Sequence, residues 1–177
     1  IGAYQRALAI KPDYPTAHNN MGTVLQEQGK LDAAVAAYSR ALAIKPDYAE
    51  AKWNLSLFFI LIGEYEQGWH LYESRLINND TRHHHYNFDK IAWRGEALKA
   101  GRKLLIYAEQ GLGDFIQFCR YLPLVADMGF ELIVEVPKPL LSLISSLNCP
   151  MTLVAKGDKL PEFDAYCPIM SLPLAFK

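Results

Sequence analysis

The chain has 177 residues, 51% of them hydrophobic and 21% charged, and 18 basic against 19 acidic side chains leave a net charge of −1. Such a composition excludes a disordered polymer, and the balanced charge provides no general attraction to nucleic acid or to an anionic membrane. Cys119, Cys149 and Cys167 form no C-x-x-C pair, so neither a disulfide framework nor a zinc site is expected; reduced thiols fit a cytoplasmic protein, and no apolar run approaches the ~20 residues that span a bilayer.

The first eighty residues are periodic. Tyr4, Ala7, Leu8, Ile10, Pro12 and Tyr14 recur as Tyr38, Ala41, Leu42, Ile44, Pro46 and Tyr48, an offset of 38 − 4 = 34 residues. That period is the one of the tetratricopeptide repeat, two antiparallel helices per unit. The repeat from Pro15 to Tyr48 carries the pattern through Met21, Gly22, Leu25, Ala34, Tyr38, Ala41 and Pro46. Gly22 and Ala34 are small where the paired helices touch, and Leu25 and Tyr38 fill the space between neighbours. The next unit decays: Ser56, Phe59, Gly68 and Tyr72 hold the spacing, but Arg75 stands in place of alanine and no proline closes it. A terminal repeat departs from consensus because one of its faces meets something else, expected here to be the second half of the chain.

Asn20 and Asn54 are 54 − 20 = 34 residues apart on the first helix of successive repeats. An amide both donates and accepts, so stacked asparagines make a ladder for an extended peptide main chain; the alternative is a hydrogen bond to a neighbouring helix. Thr23 and Glu27 are further candidate partner contacts. Residues 1–80 are therefore read as about two and a half repeats binding polypeptide.

Residues 81–101 break the period and read as a linker. His83, His84 and His85 are adjacent, and adjacent side chains diverge in any regular backbone, so a polar loop or partner contact is expected there and no metal site. Trp93 and Leu98 are expected to pin the linker by burial.

From Arg102 the pattern becomes α/β. Strands are predicted at Lys103–Ala108, Glu131–Val136, Met151–Ala155 and Phe163–Cys167, with helices at Phe115–Met128 and Pro139–Leu147. The first helix is expected to turn Ile116, Cys119, Leu122 and Val125 or Ala126 inward. Short connections between alternating strands and helices imply a parallel, Rossmann-like sheet over residues 102–177. In such a sheet ligands bind outside the carboxyl ends of the strands, which is where Glu109, Gln110, Gly111, Leu112, Gly113 and Asp114 stand. Asp114 has two readings that do not exclude each other: a helix cap, or a carboxylate that takes a proton in a cleft.

The run Gly68, Trp69, Tyr72, Glu73 and Arg75, then Trp93 and Gly95, Glu109 to Asp114, Arg120 and Tyr121, and Phe163, Asp164, Cys167, Pro168, Ser171, Leu172 and Pro173 resembles bacterial tetratricopeptide proteins fused to a glycosyltransferase of the B-type fold. These are similar to ADP-heptose:lipopolysaccharide heptosyltransferases and to O-linked N-acetylglucosamine transferases. The resemblance implies an inverting, metal-independent transfer from a nucleotide-sugar to a polypeptide or glycan acceptor. It implies Asp114 as general base, Glu109 and Gln110 as donors and acceptors to acceptor hydroxyls or as a loop lock, and Gly111 and Gly113 as points of close backbone approach. It also implies a second, donor-binding domain, so the chain, which starts at Ile1 within a repeat, is expected to be a portion of a longer enzyme, inactive alone. The competing expectation is a non-catalytic interaction scaffold. A dinucleotide enzyme is disfavoured because the glycines do not form G-x-G-x-x-G.

Overall fold

The structure, a computed structural model, describes residues 1–77, 86, 88–97 and 101–176. They fall into two compact units, Ile1–Asn79 and Asp80–Lys177.

The first unit is helical: α1 (Gly2–Ile10), α2 (Pro15–Glu27), α3 (Leu31–Ile44), α4 (Ala49–Leu61) and α5 (Tyr65–Tyr72), the last continuing as a 3-10 turn over Glu73–Leu76. Pro15 opens α2 at its first position, where the missing N–H would have had no helical partner. The core of the repeat packs Ala34, Tyr38 and Leu55 with Leu25, Leu42, Phe59 and Leu71 around them. Gly22 is required by that packing: a Cβ there would lie 2.6 Å from Tyr38 Cε1. The buried Tyr38 hydroxyl donates to Gln26 Oε1 at 3.0 Å. Arg75, where the repeat pattern calls for alanine, is buried, with Nη1 2.6 Å from Glu73 Oε1 and its guanidinium over the Tyr72 ring.

The second unit is a five-stranded parallel sheet of β1 (Ile91–Ala92), β2 (Lys103–Tyr107), β3 (Glu131–Val136), β4 (Thr152–Ala155) and β5 (Ala165–Pro168), in the order β1-β5-β2-β3-β4. Beyond their exposed first residues, β2 and β3 are buried throughout, as strands covered on both faces must be. One face packs Leu105, Tyr107 and Ile133 under Tyr86, Phe88, Leu160 and Phe163. Around it are the short helices α6 (Leu112–Phe118), α7 (Leu122–Ala126), α8 (Leu141–Ser145) and α9 (Leu172–Ala175), with α7 packed on β3 and α8 on β4.

Two expectations are corrected. The single helix over Phe115–Met128 is α6, a 3-10 turn at Cys119–Tyr121 and α7; Pro123 has no N–H to return to residue 119, so the ladder cannot continue through it. The pieces turn Phe115, Phe118, Leu122, Val125 and Ala126 inward, whereas Ile116 is exposed. The stretch read as a linker also contributes to the α/β unit: Tyr86 and Phe88 cover the sheet and β1 is its edge strand. Trp93 is buried, donates its main-chain N–H to Tyr166 O at 2.8 Å and its indole N–H to Glu96 O at 2.7 Å. Gly95 (φ 103°) runs so close to Ala175 that a Cβ would sit 2.6 Å from its carbonyl oxygen. His83 to His85 and Leu98 lie outside the described residues.

Candidate functional site

The strand order reverses between β2 and β5: the chain steps outward from β2 to β3 and β4, then returns to lay β5 on the other side of β2. The crevice outside the carboxyl ends at such a reversal is where open α/β sheets bind ligands. Two segments meet there. One is the loop from Glu109 to Gly111 with the start of α6; the other is the 3-10 turn Ile169–Ser171 after β5, which contacts α6.

Glu109 ties them together. Its side chain is buried, and Oε2 accepts the Met170 main-chain N–H at 3.3 Å. Of its two expected roles, this is the geometry of a lock between loops. Gln110 is half-buried, and its Nε2 is a buried donor with no acceptor among the described residues. Lys156, which follows β4, reaches across the strand ends to donate Nζ to Ala108 O at 2.8 Å, fixing the root of the loop. Nothing in the repeat or motif patterns singled it out.

Asp114 is the third residue of α6, and Gly111 is the cap. Asp114 Oδ2 accepts the Gly111 N–H at 3.1 Å, half of a capping box, since glycine has no side chain to return the bond. The carboxylate is therefore engaged in the loop while half-exposed at the strand ends. Gly111 and Gly113 are exposed, and a Cβ on Gly113 would meet open space. Among the described residues no contact demands glycine at 113.

The face of β2 and β3 that carries Leu105, Tyr107 and Ile133 also carries a polar group amid aromatic rings. Glu135, 1% exposed, accepts the Tyr86 hydroxyl on Oε1 at 2.7 Å. Burial, and then the Glu135 carboxylate, push the Tyr86 phenol up to about 12. Two cavities near the sheet, of about 430 and 400 Å³, open at its amino edge beside Lys103 and Glu162, away from the loop. At that edge Asp164 is held by the Lys103 N–H at 2.9 Å and by Arg102 Nη1 at 3.0 Å, and these contacts, the Lys103 N–H first, hold its carboxyl below the usual range. Of the remaining motif residues, Tyr121 stacks on Phe176 and Arg120 lies over Tyr121.

In the helical unit, Asn20 and Asn54 are both half-buried, and Asn19, fully buried, stands between them. Asn54 Nδ2 donates to Asn19 Oδ1 at 3.0 Å, and Asn19 Nδ2 approaches Asn20 Oδ1 at 3.5 Å. The two candidate rungs thus join through a residue that the repeat spacing did not mark. Thr23 Oγ1 lies 3.4 Å from both Asn19 O and the Tyr38 hydroxyl, so it is used within the repeat; Glu27 is exposed at the end of α2.

Among the described residues no helix is long and apolar enough to cross a membrane, and no group of three or more His, Cys, Asp or Glu is placed to hold a metal ion.

Comparison with known proteins gives three results. Residues 15–48 match the family model for the tetratricopeptide repeat. The chain is 28% identical over 127 residues to Protein FlbA of Caulobacter vibrioides, a match covering 70% of this chain and 21% of that protein, so the chain spans about a fifth of its relative. Among solved structures it is similar to MamA (28% identity, 43% of this chain and 44% of that one, TM-score 0.40) and to a mutant O-GlcNAc transferase of Thermobaculum terrenum (17% identity, 86% and 36%, TM-score 0.41).

Proposed function

We propose that this chain is the repeat-bearing, acceptor-side portion of an inverting, metal-independent glycosyltransferase of the B-type fold, working in the cytoplasm on a nucleotide-sugar supplied by a separate donor domain. The observation that carries the reading is the strand order. The Glu109–Asp114 loop stands at the carboxyl end of β2 where the order reverses, the one position in an open parallel sheet that topology leaves as a crevice. The motif resemblance given above points to the same loop. In this reading Asp114 accepts the proton of the attacking hydroxyl, Gln110 orients the acceptor, Glu109 and Lys156 hold the loop, and the bare backbone at Gly113 admits a sugar. Asn20 and Asn54 present polypeptide.

A specific observation favours a second reading, an interaction scaffold without chemistry: Asp114 Oδ2 is already occupied by the Gly111 N–H, which accounts for the aspartate structurally. Asp114→Asn in the full-length protein separates the two. The amide oxygen still accepts the Gly111 N–H but cannot act as a base. Sugar transfer is assayed as nucleotide release from a panel of UDP- and ADP-sugars with cell extract as acceptor. Loss of transfer with thermal stability retained supports the enzyme with Asp114 as its base; turnover unchanged by the substitution removes Asp114 from that role, and no turnover by the unaltered protein supports the scaffold.

A further inference from the structure

From Trp53 onward α4 is apolar around its whole circumference, Asn54 and Ser56 apart, and a helix of that kind is normally covered on every side. Leu57 and Leu61 are not covered: they are 40% and 73% exposed. They follow Asn54 at the i+3 and i+7 positions, on the same helix face. One repeat earlier, 34 residues back, the equivalent face of α2 carries Asn20, Thr23 and Glu27. The bond from Asn54 Nδ2 to Asn19 Oδ1 joins the two faces into one surface, polar on α2 and apolar on α4, with the exposed charge of Glu27 at its polar end.

The amides discriminate between occupants. Asn54 uses its Nδ2 on Asn19, which leaves Asn54 Oδ1 without a donor among the described residues. Asn19 Nδ2 is directed at Asn20 Oδ1, which leaves Asn20 Nδ2 without an acceptor among them. The surface therefore offers one acceptor and one donor. A helix from a second copy has its main-chain groups bonded within itself and answers neither. An extended polypeptide carries a free N–H and a free C=O and answers both.

We infer that α2 and α4 read side chains as well as main chain: an extended polypeptide places a large apolar residue over Leu57 and Leu61 and a basic one beside Glu27. Packed helices lie about 8–10 Å apart and an extended chain advances about 3.1–3.4 Å per residue, so the two side chains stand about three positions apart. This rests on the polypeptide-presenting part of the reading above and names its partner; sugar transfer has no part in it.

The test titrates the 177-residue chain with capped decapeptides in a Gly/Ser host, following the Leu57 and Leu61 methyl resonances by NMR. One pair of peptides carries Leu and Lys three positions apart, in either order; the controls replace Leu by Ser, Lys by Glu, or both by Ser. At least one Leu/Lys peptide is expected to give saturable shifts. Replacing its Leu is expected to raise the Kd roughly tenfold, and replacing its Lys by Glu severalfold, the second effect fading at high salt. Leu61→Ser, at an exposed position that leaves the fold intact, is expected to remove the preference for Leu over Ser, and Glu27→Lys to reverse the preference for Lys over Glu. Peptides bound at this face without preference for either side chain overturn the inference and leave polypeptide presentation standing. No saturable binding of any peptide overturns both. A dimer in sedimentation that Leu61→Ser turns into monomer gives the face to a second copy and overturns the inference too.

Discussion

Asn54 Nδ2 donates to Asn19 Oδ1 at 3.0 Å, joining the first helices of two successive repeats through their side-chain amides. Asn19 is fully buried, so Asn19→Ala removes its bonds and leaves the Asn54 amide short of an acceptor. The expected cost is about 1–3 kcal/mol in urea unfolding. Asn20→Ala, which loses only a 3.5 Å contact, is expected to cost less than about 0.5 kcal/mol.

Gly22→Ala tests the packing of the repeat itself. Alanine would favour the helix by up to about 1 kcal/mol, but its methyl would fall 2.6 Å from a ring atom of buried Tyr38. Overpacking of that kind costs about 1–3 kcal/mol, so a net loss is expected in thermal or urea unfolding. A stabilised variant would show that the Tyr38 ring yields freely.

Gly113→Ala should behave oppositely in its two readouts. With open space around the added methyl, stability of the chain is expected to rise by about 0.5 kcal/mol. Transfer by the full-length protein is expected to fall, because the methyl occupies the space assigned to the acceptor. Equal or higher turnover would remove Gly113 from the site.

Tyr86 gives the α/β unit an alkaline limit. Its phenol titrates at about 12 in the fold against 10.0 for an unperturbed tyrosine, so the folded state favours the protonated form. The stability this contributes is complete below pH 10 and is lost as pH rises through about 12. Tyr86→Phe is expected to flatten that alkaline decline and to delete a tyrosinate absorbance step near pH 12. At neutral pH the same substitution strips Glu135 Oε1 of its donor and is expected to cost about 1–3 kcal/mol.

The repeats were legible because a fixed period leaves many residues in register: Gly22, Ala34 and Tyr38 sit in the packing that the pattern assigns to them. Asn19 was invisible for the same reason, since the residue 34 positions on is Trp53 and no period marks it. Four parallel strands could be read from apolar runs between turn residues, but β1 could not. Two exposed residues, Ile91 and Ala92, carry no periodicity, and only their pairing with Ala165 and Tyr166 makes them a strand. The candidate loop was found from its glycines and its position after a strand. Glu135 and Lys156 were not, because a glutamate in a strand or a lysine after one is ordinary until the register shows what lies beside it.

The strand order also sets a schedule. Edge strand β1, first of the five in sequence, pairs with β5, the last, and so must wait until nearly the whole unit has been synthesised before it can dock. Strands β2, β3 and β4 are neighbours in both sequence and space and can assemble beforehand. Until β5 arrives, β2 presents a bare flank that any extended segment can pair with, and Tyr86, Phe88 and Trp93 remain without the β5 surface they are to cover. Closure of the crevice and completion of the sheet are therefore one event, since the strand that carries the turn bonded to Glu109 is the same strand that ends the wait.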